Sequence, residues 1–187
     1  MIIESGSLTH SRFTDFSTLL FSQSLDSIPV ISFGTTGSYD YTADDKKLPS
    51  SINLISLSDQ DTLSNIQTSA RSLMHDLTSS GSSSPMLSAY YPSGGYIDWH
   101  TNSNDPGYNL ICTYSSNGDS FFEYYDLEDD EVVRVNDQVG WNYKIVYFGT
   151  GSNKMWHRAV SNCDRITFTF SNDSLSDLQT LKNSLTQ

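Results

Sequence analysis

Four histidines occur in the chain, and two of them keep company that could do chemistry. His100 lies in Tyr91-Pro-Ser-Gly-Gly-Tyr-Ile-Asp-Trp-His-Thr-Asn102, which reads as a tight turn, a strand and the start of a polar loop. His157 follows in Lys154-Met-Trp-His-Arg-Ala-Val160, and Arg165 opens the alternating run Arg165-Ile-Thr-Phe-Thr-Phe-Ser171. A neutral imidazole offers a ring nitrogen to a metal. Arginine offers a planar fork that matches a carboxylate. Taken singly, each residue has an ordinary structural reading: a histidine satisfied by local hydrogen bonds, an arginine in a salt bridge to Asp98 or Asp164.

The spacing suggests how they are presented. If residues 92–95 close a hairpin, Tyr91 pairs with Tyr96, Ala89 with Asp98 and Leu87 with His100. Cross-strand partners share a face and side chains alternate along a strand. Tyr91, Asp98, His100 and Asn102 would then point to one side, and Ile97 and Trp99 to the other. Arg165, Thr167 and Thr169 would likewise share a face opposite Ile166, Phe168 and Phe170. Turning polar sets inward without partners costs roughly 1–3 kcal/mol per group, and a bound metal with an anionic ligand would supply the partners. Two histidines and one oxygen donor with open positions form the facial arrangement of non-haem iron sites.

The elements that must position these residues follow from periodicity. Leu63, Ile66, Ala70, Leu73, Met74 and Leu77 recur at three- and four-residue steps and predict a helix over residues 59–78. His75 near its end suits a helix C-terminus. Residues 16–21 fit a helix or a buried strand, 28–33 a strand, and 35–50 a loop. His10 falls in what reads as a mobile N-terminal stretch. From residue 86 the pattern changes to strands near 86–91, 96–101, 108–115, 120–126, 131–136, 143–149, 154–160 and 165–171. Asn117-Gly118 marks a hairpin; 128–131 and 137–140 are turns. Leu175, Leu178, Leu181 and Leu185 behind Ser174 predict a final amphipathic helix. Tyr108, Leu110, Cys112 and Tyr114 share a face that points either to a cavity or to the core. Trp99, Trp141 and Trp156 read as core; Lys144 and Arg158 are alternative anion holders to Arg165, and both read as exposed. The fold class is mainly β with flanking helices, a jelly roll or barrel. One domain is expected over residues 1–187: a helical or mixed support over 1–85, a jelly-roll core over 86–171 and a helix over 172–187.

Composition narrows the partners. The formal charge of −12 repels phosphate backbones and anionic lipids, so intact nucleic acid is disfavoured. Two cysteines, Cys112 and Cys163, lack metal-site spacing and read as buried thiols. Neither a signal peptide nor a membrane-spanning run is visible, which predicts a cytoplasmic protein.

The stretch from Tyr91 to Asn102 resembles the His-x-Asp strand of the iron(II)- and 2-oxoglutarate-dependent oxygenases, most closely their AlkB-like and prolyl-hydroxylase-like branches. Tyr91 stands nine residues before His100, the spacing of a tyrosine that contacts 2-oxoglutarate there. His157 followed by Arg165-Ile-Thr-Phe-Thr-Phe is similar to the distal histidine and carboxylate-binding arginine of that family. The chain is also similar to oxygenases of this type in phage genomes, which would place it in a host cytoplasm. The resemblance covers roughly residues 86–171. It implies a double-stranded β-helix, iron(II) held by His100, Asn102 and His157, and 2-oxoglutarate held by Arg165, Tyr91 and Thr167. It also implies a dioxygenase that hydroxylates or demethylates a small molecule or protein side chain, releasing succinate and carbon dioxide. Asn102 departs from the family's carboxylate, and Asp98 and then Asp105 are the alternatives. That departure leaves open a non-catalytic metal- or anion-binding module of the same fold, with a structural or interaction protein as the third expectation.

Overall fold

Fifteen short elements describe the protein in a computed structural model, which covers residues 1–23, 31–33, 51–57, 64–78, 83–102 and 106–186. In order they are β1 (Ile2–Ser7), α1 (Ser11–Phe21), β2 (Ile31–Phe33), β3 (Ser51–Ser56), α2 (Ser64–Thr78), β4 (Ser84–Tyr91), β5 (Tyr96–His100), β6 (Gly107–Ser115), β7 (Ser120–Asp126), β8 (Glu131–Asn136), β9 (Gly140–Phe148), a single 3-10 turn (Gly151–Asn153), β10 (His157–Ser161), β11 (Arg165–Asn172) and α3 (Leu175–Leu185). The eight strands expected after residue 86 are all present. The loop expected over 35–50 and the start of the helix expected at 59 lie outside the described residues.

The strands order as β1-β9-β6-β11-β4-β3-β5-β10-β7-β8, with β2 added to β3. β3 joins two sheets: Ile55 and Ser56 pair with β4, whereas Ser51 and Ile52 pair with β5. One sheet therefore carries β4, β11, β6 and β9, and the other β5, β10, β7 and β8. From β4 to β11 the chain changes sheet at every connection except the β7–β8 hairpin. That alternation is a double-stranded β-helix, the jelly roll expected from the sequence.

The same topology corrects two turns. Residues 92–95 do not close a hairpin: Tyr91 pairs with Arg165 on β11, and Tyr96 pairs with Val160 on β10. The turn is tight, with Gly95 N–H donating to the Pro92 carbonyl at 2.8 Å and Gly94 at φ 84°. Its hydrogen bonds to Ser161, from Gly94 N–H and to Gly95 O, fix where the chain crosses between sheets. Asn117-Gly118 is a second crossing turn, since β6 and β7 belong to different sheets. Glycine at positive φ supplies tight turns of either use, so the residue pair could not tell them apart.

Alternation places Leu110, Cys112, Tyr143, Ile145, Ile166, Phe168 and Phe170 on the outer face of the first sheet, in one cluster with Phe13, Phe16 and Leu20 of α1, Ile66, Ala70 and Leu73 of α2 and Leu178, Leu181 and Leu185 of α3. Each such side chain contributes about 1.5–3 kcal/mol on burial. Tyr108 and Tyr114 pack on this cluster, so that face of β6 is core and not cavity. Trp99, Trp141 and Trp156 are buried, and Cys112 and Cys163 are buried free thiols. The N-terminus is tied down where a mobile stretch was expected: β1 pairs with β9, and His10 caps α1 by accepting from Arg12 N–H. β1 escapes notice because its sequence, IIESGS, has little of a strand's usual composition. Ser174 caps α3 as expected, and exposed His75 faces Asp76. No helix among the described residues is long and apolar enough to cross a membrane.

Candidate metal and anion site between the sheets

His157 sits directly across from His100 in the β10–β5 ladder, and their ring centroids are 4.2 Å apart. Each ring bonds back to a carbonyl two residues earlier: His100 Nδ1 to Asp98 O at 2.7 Å and His157 Nδ1 to Met155 O at 3.0 Å. A carbonyl only accepts, so in both rings Nδ1 carries the proton and Nε2 the lone pair. Burial lowers the pKa of both rings, and for His157 the neighbouring His100 lowers it further, well below the ordinary value. Two adjacent neutral imidazoles with oriented Nε2 lone pairs are a donor set for a divalent metal.

An apolar cage sets this environment. Phe148 stacks on His157 at 4.4 Å and Phe122 at 5.5 Å, and both rings pack with Ile111, Val146 and Met155. All three flanking strands, β6, β7 and β9, turn these side chains inward by simple alternation. Neither phenylalanine was singled out in the sequence, because a cage residue looks like any core residue until the topology is known.

The presentation of His100 differs from expectation. Ala159 pairs with Ile97, but His157 pairs with His100, so β5 carries one extra residue between the two pairs. This bulge shifts the alternation. Ile97 consequently packs with Leu87, Ala89 and Tyr91, on the side where it was not expected. Asp98 is buried, and its Oδ1 accepts the Trp99 N–H at 2.9 Å. Among the described residues, no group of three or more His, Cys, Asp or Glu side chains gathers as if to hold a metal. Asn102, half-buried just past the end of β5, stands two residues after His100 in sequence. Asp105 lies outside the described residues.

The other end of the inter-sheet space is ionic. Arg165 is 1% exposed. It donates from Nε to Asp137 Oδ2 at 2.9 Å, from Nη1 to Thr167 Oγ1 at 2.5 Å and from Nη2 to Thr113 Oγ1 at 3.5 Å. The Tyr91 ring lies 4.9 Å from its Cζ. The protein partner of Arg165 is thus Asp137, not Asp98 or Asp164; Asp164 accepts instead from the Tyr90 hydroxyl at 2.6 Å. Lys144, expected on the surface, is 2% exposed, because β9 turns it inward and its Nζ reaches Asp137 Oδ1 at 2.5 Å. Ser120 Oγ completes the set by donating to Asp137 at 2.8 Å. Burial opposes the charge of Asp137, but Arg165 and Lys144 hold its carboxyl down at about 2. Burial would lower the pKa of Arg165, and its partners, Asp137 first and then Tyr91, together more than offset it. Burial pushes the Tyr91 phenol up, so it stays protonated.

Arg158, also expected on the surface, is about one-third exposed on the outer face, paired with Glu123 and lying over Trp99. It takes no part in the interior site. Asp137 was read only as a turn residue. The signal that could have found it is a count: two cations that alternation turns inward demand a buried carboxylate.

No family model and no curated protein sequence matches the chain. Among solved structures, one of OsALKBH1 matches at 17% identity and a TM-score of 0.41, over 90% of this chain and 97% of its own. The carbohydrate-binding module CBM6cm-2 from Cellvibrio mixtus lichenase 5A, in complex with cellotriose, matches at 15% identity and a TM-score of 0.29, over 48% of this chain and 79% of its own. Likeness at these scores bears on neither activity nor site; the jelly-roll assignment rests on the strand order itself.

Proposed function

We propose that the protein is an iron(II)- and 2-oxoglutarate-dependent oxygenase acting on a neutral or cationic small molecule or a protein side chain. The observation that carries this reading is the His100–His157 pair: two neutral rings 4.2 Å apart with both Nδ1 protons committed to backbone carbonyls. His100 and His157 would hold the metal through Nε2, with Asn102 as the oxygen donor. Arg165, Thr167 and Tyr91 would hold the far carboxylate of 2-oxoglutarate. The bound pair would supply oxidation of a C–H bond by dioxygen, coupled to loss of carbon dioxide from 2-oxoglutarate and release of succinate.

The chain's own contribution is positional. The bulge in β5 aims His100 at His157. The carbonyls of Asp98 and Met155 select the tautomer. Phe122 and Phe148 exclude water from the His157 side, which strengthens electrostatic interactions there. Arg165, with Thr167 beside it, would anchor the far carboxylate of the co-substrate. The net charge of −12 disfavours a polyanionic substrate.

The test is anaerobic addition of iron(II) and then 2-oxoglutarate to metal-free protein, followed by visible absorption. A weak charge-transfer band that vanishes in His157→Ala supports the reading. Iron binding without the band points to the second reading, a non-catalytic module, which the neutral Asn102 and the lack of a third acidic or histidine ligand among the described residues favour. No iron binding at all sinks both.

A further inference from the structure

The ionic end of the site contains more positive charge than Arg165 requires. Lys144 and Arg165 are both essentially enclosed, and the carboxylate that pairs with each of them is the same one, Asp137. Among the described residues no other carboxylate forms an ion pair with either cation. Burial lowers the pKa of Lys144 and Asp137 opposes that, so the ion pair with Asp137 is what keeps the ammonium charged; the Tyr91 phenol beside Arg165 is uncharged. The cluster therefore carries one positive charge in excess, enclosed by neutral groups: Thr113, Thr167, Ser120 and Tyr91.

An enclosed charge without a counter-ion is costly. If Asp137 faced Arg165 alone, the pair would be neutral, and a second carboxylate arriving at Arg165 would meet no net positive charge. Lys144 changes this count. We propose that Lys144 is the residue that makes this end of the barrel an anion site: it neutralises Asp137, so that Arg165 remains free to hold one carboxylate of a dicarboxylic ligand. Arg165 supplies the geometry and Lys144 the charge. Lys144 acts through Asp137 and is a positioning residue, not a catalytic one. The identification of the ligand as 2-oxoglutarate rests on the function proposed above; the site itself requires only a carboxylate of fitting length.

The experiment uses the full chain, metal-free, with succinate and 2-oxoglutarate as probes and isothermal titration as the readout. Iron binding is measured separately on the same preparations, so that loss of the metal reading and loss of this one are distinguishable. Lys144→Met brings the cluster to zero net charge and should weaken both probes about 10- to 100-fold, the scale of one charge-assisted interaction. Lys144→Arg keeps the charge and should keep binding within a few-fold. The double variant Lys144→Met with Asp137→Asn restores the excess charge and should regain most of the lost affinity. A merely structural lysine would not be rescued by removing its own partner. Unchanged binding in Lys144→Met overturns the proposal, as does loss in Lys144→Met without rescue by a double variant that melts as a folded protein. If the double variant does not fold, the comparison of Lys144→Arg with Lys144→Met decides: equal binding by the two refutes the charge argument. No carboxylate binding by the unmodified protein refutes it outright, whatever iron does.

Discussion

Thr167 and Phe168 are neighbours on β11 and both are buried, yet they belong to opposite kinds of interior. Phe168 packs on Phe13, Phe16 and Trp141 under the helices. Thr167 accepts from a buried arginine between the sheets. The helix-side face is held by apolar area, which is non-directional and tolerates exchange of similar volumes. The inter-sheet face is held by charges and hydrogen bonds whose partners must all be present. Nothing about β11 as a strand demands the second face. A jelly roll filled with aliphatic side chains would be at least as stable, so the polar filling marks what the interior is for.

The largest expected effects probe this contrast directly. Phe168→Ala should cost about 3–5 kcal/mol through the cavity it opens. Asp137→Asn should cost a similar amount, about 3–5 kcal/mol, by leaving two enclosed cations without their carboxylate. Urea unfolding measures both. The two losses differ in what repairs them. Added succinate should raise the melting temperature of Asp137→Asn more than that of the unmodified protein, and should leave Phe168→Ala with the ordinary shift. Equal shifts would mean that the two faces are both simply packing.

His157→Ala comes next. It removes one of the two imidazole donors, and iron(II) affinity should fall at least about 100-fold, beyond the 10- to 100-fold typical of losing an outer-shell partner. Succinate binding at the Arg165 end should survive, because that cluster shares no hydrogen bond with His157. An anaerobic iron titration beside a succinate titration reads the two clusters separately. Joint loss would show that the ends are not separable.

The same contrast explains what was legible in the sequence. Period-2 and period-3.6 patterns placed every strand after residue 86 and the final helix, since those patterns record the apolar face. The roles proposed for His100, His157, Arg165 and Tyr91 came from residue type and order. Which sheet each strand joins was not legible: Tyr91-Pro-Ser-Gly-Gly-Tyr96 could turn back on itself or cross to another sheet, and local chemistry is the same for both. The bulge between Ile97 and His100 was invisible for a related reason, since it is set by pairing with β10. Lys144 was misjudged because lysine is usually exposed. Its burial depends on Asp137, seven residues away in sequence and read as a turn.

Acid should separate the two interiors as well. The carboxyl of Asp137 is held at about 2, against an ordinary 3.8. A lowered folded-state pKa means that the unfolded chain takes up the proton first as pH falls. The contribution, about 2 kcal/mol, is therefore full above about pH 4 and lost progressively toward pH 2. Lys144→Met removes one of the two cations that hold the carboxyl down, so its acid limb should be shallower. Urea unfolding across that range would show it; parallel acid limbs would mean that Lys144 does not act on Asp137.

The smallest expected effect tests the weakest ligand. Asn102 offers an uncharged oxygen, whereas a carboxylate at that position would add a full negative charge beside a divalent ion. At 4 Å a pair of unit charges is worth about 1 kcal/mol in water and about 4 kcal/mol near a protein surface. Asn102→Asp should therefore tighten iron(II) binding about tenfold, the low end of that range, because the side chain is half-buried and water screens it. Asp98→Asn should leave iron affinity unchanged, because the Asp98 Oδ1 is engaged by the Trp99 N–H. If Asn102→Asp changes nothing while Asp98→Asn weakens binding, Asp98 must turn from Trp99 toward the histidines when the metal arrives, and the bulge in β5 is then the hinge that lets it do so.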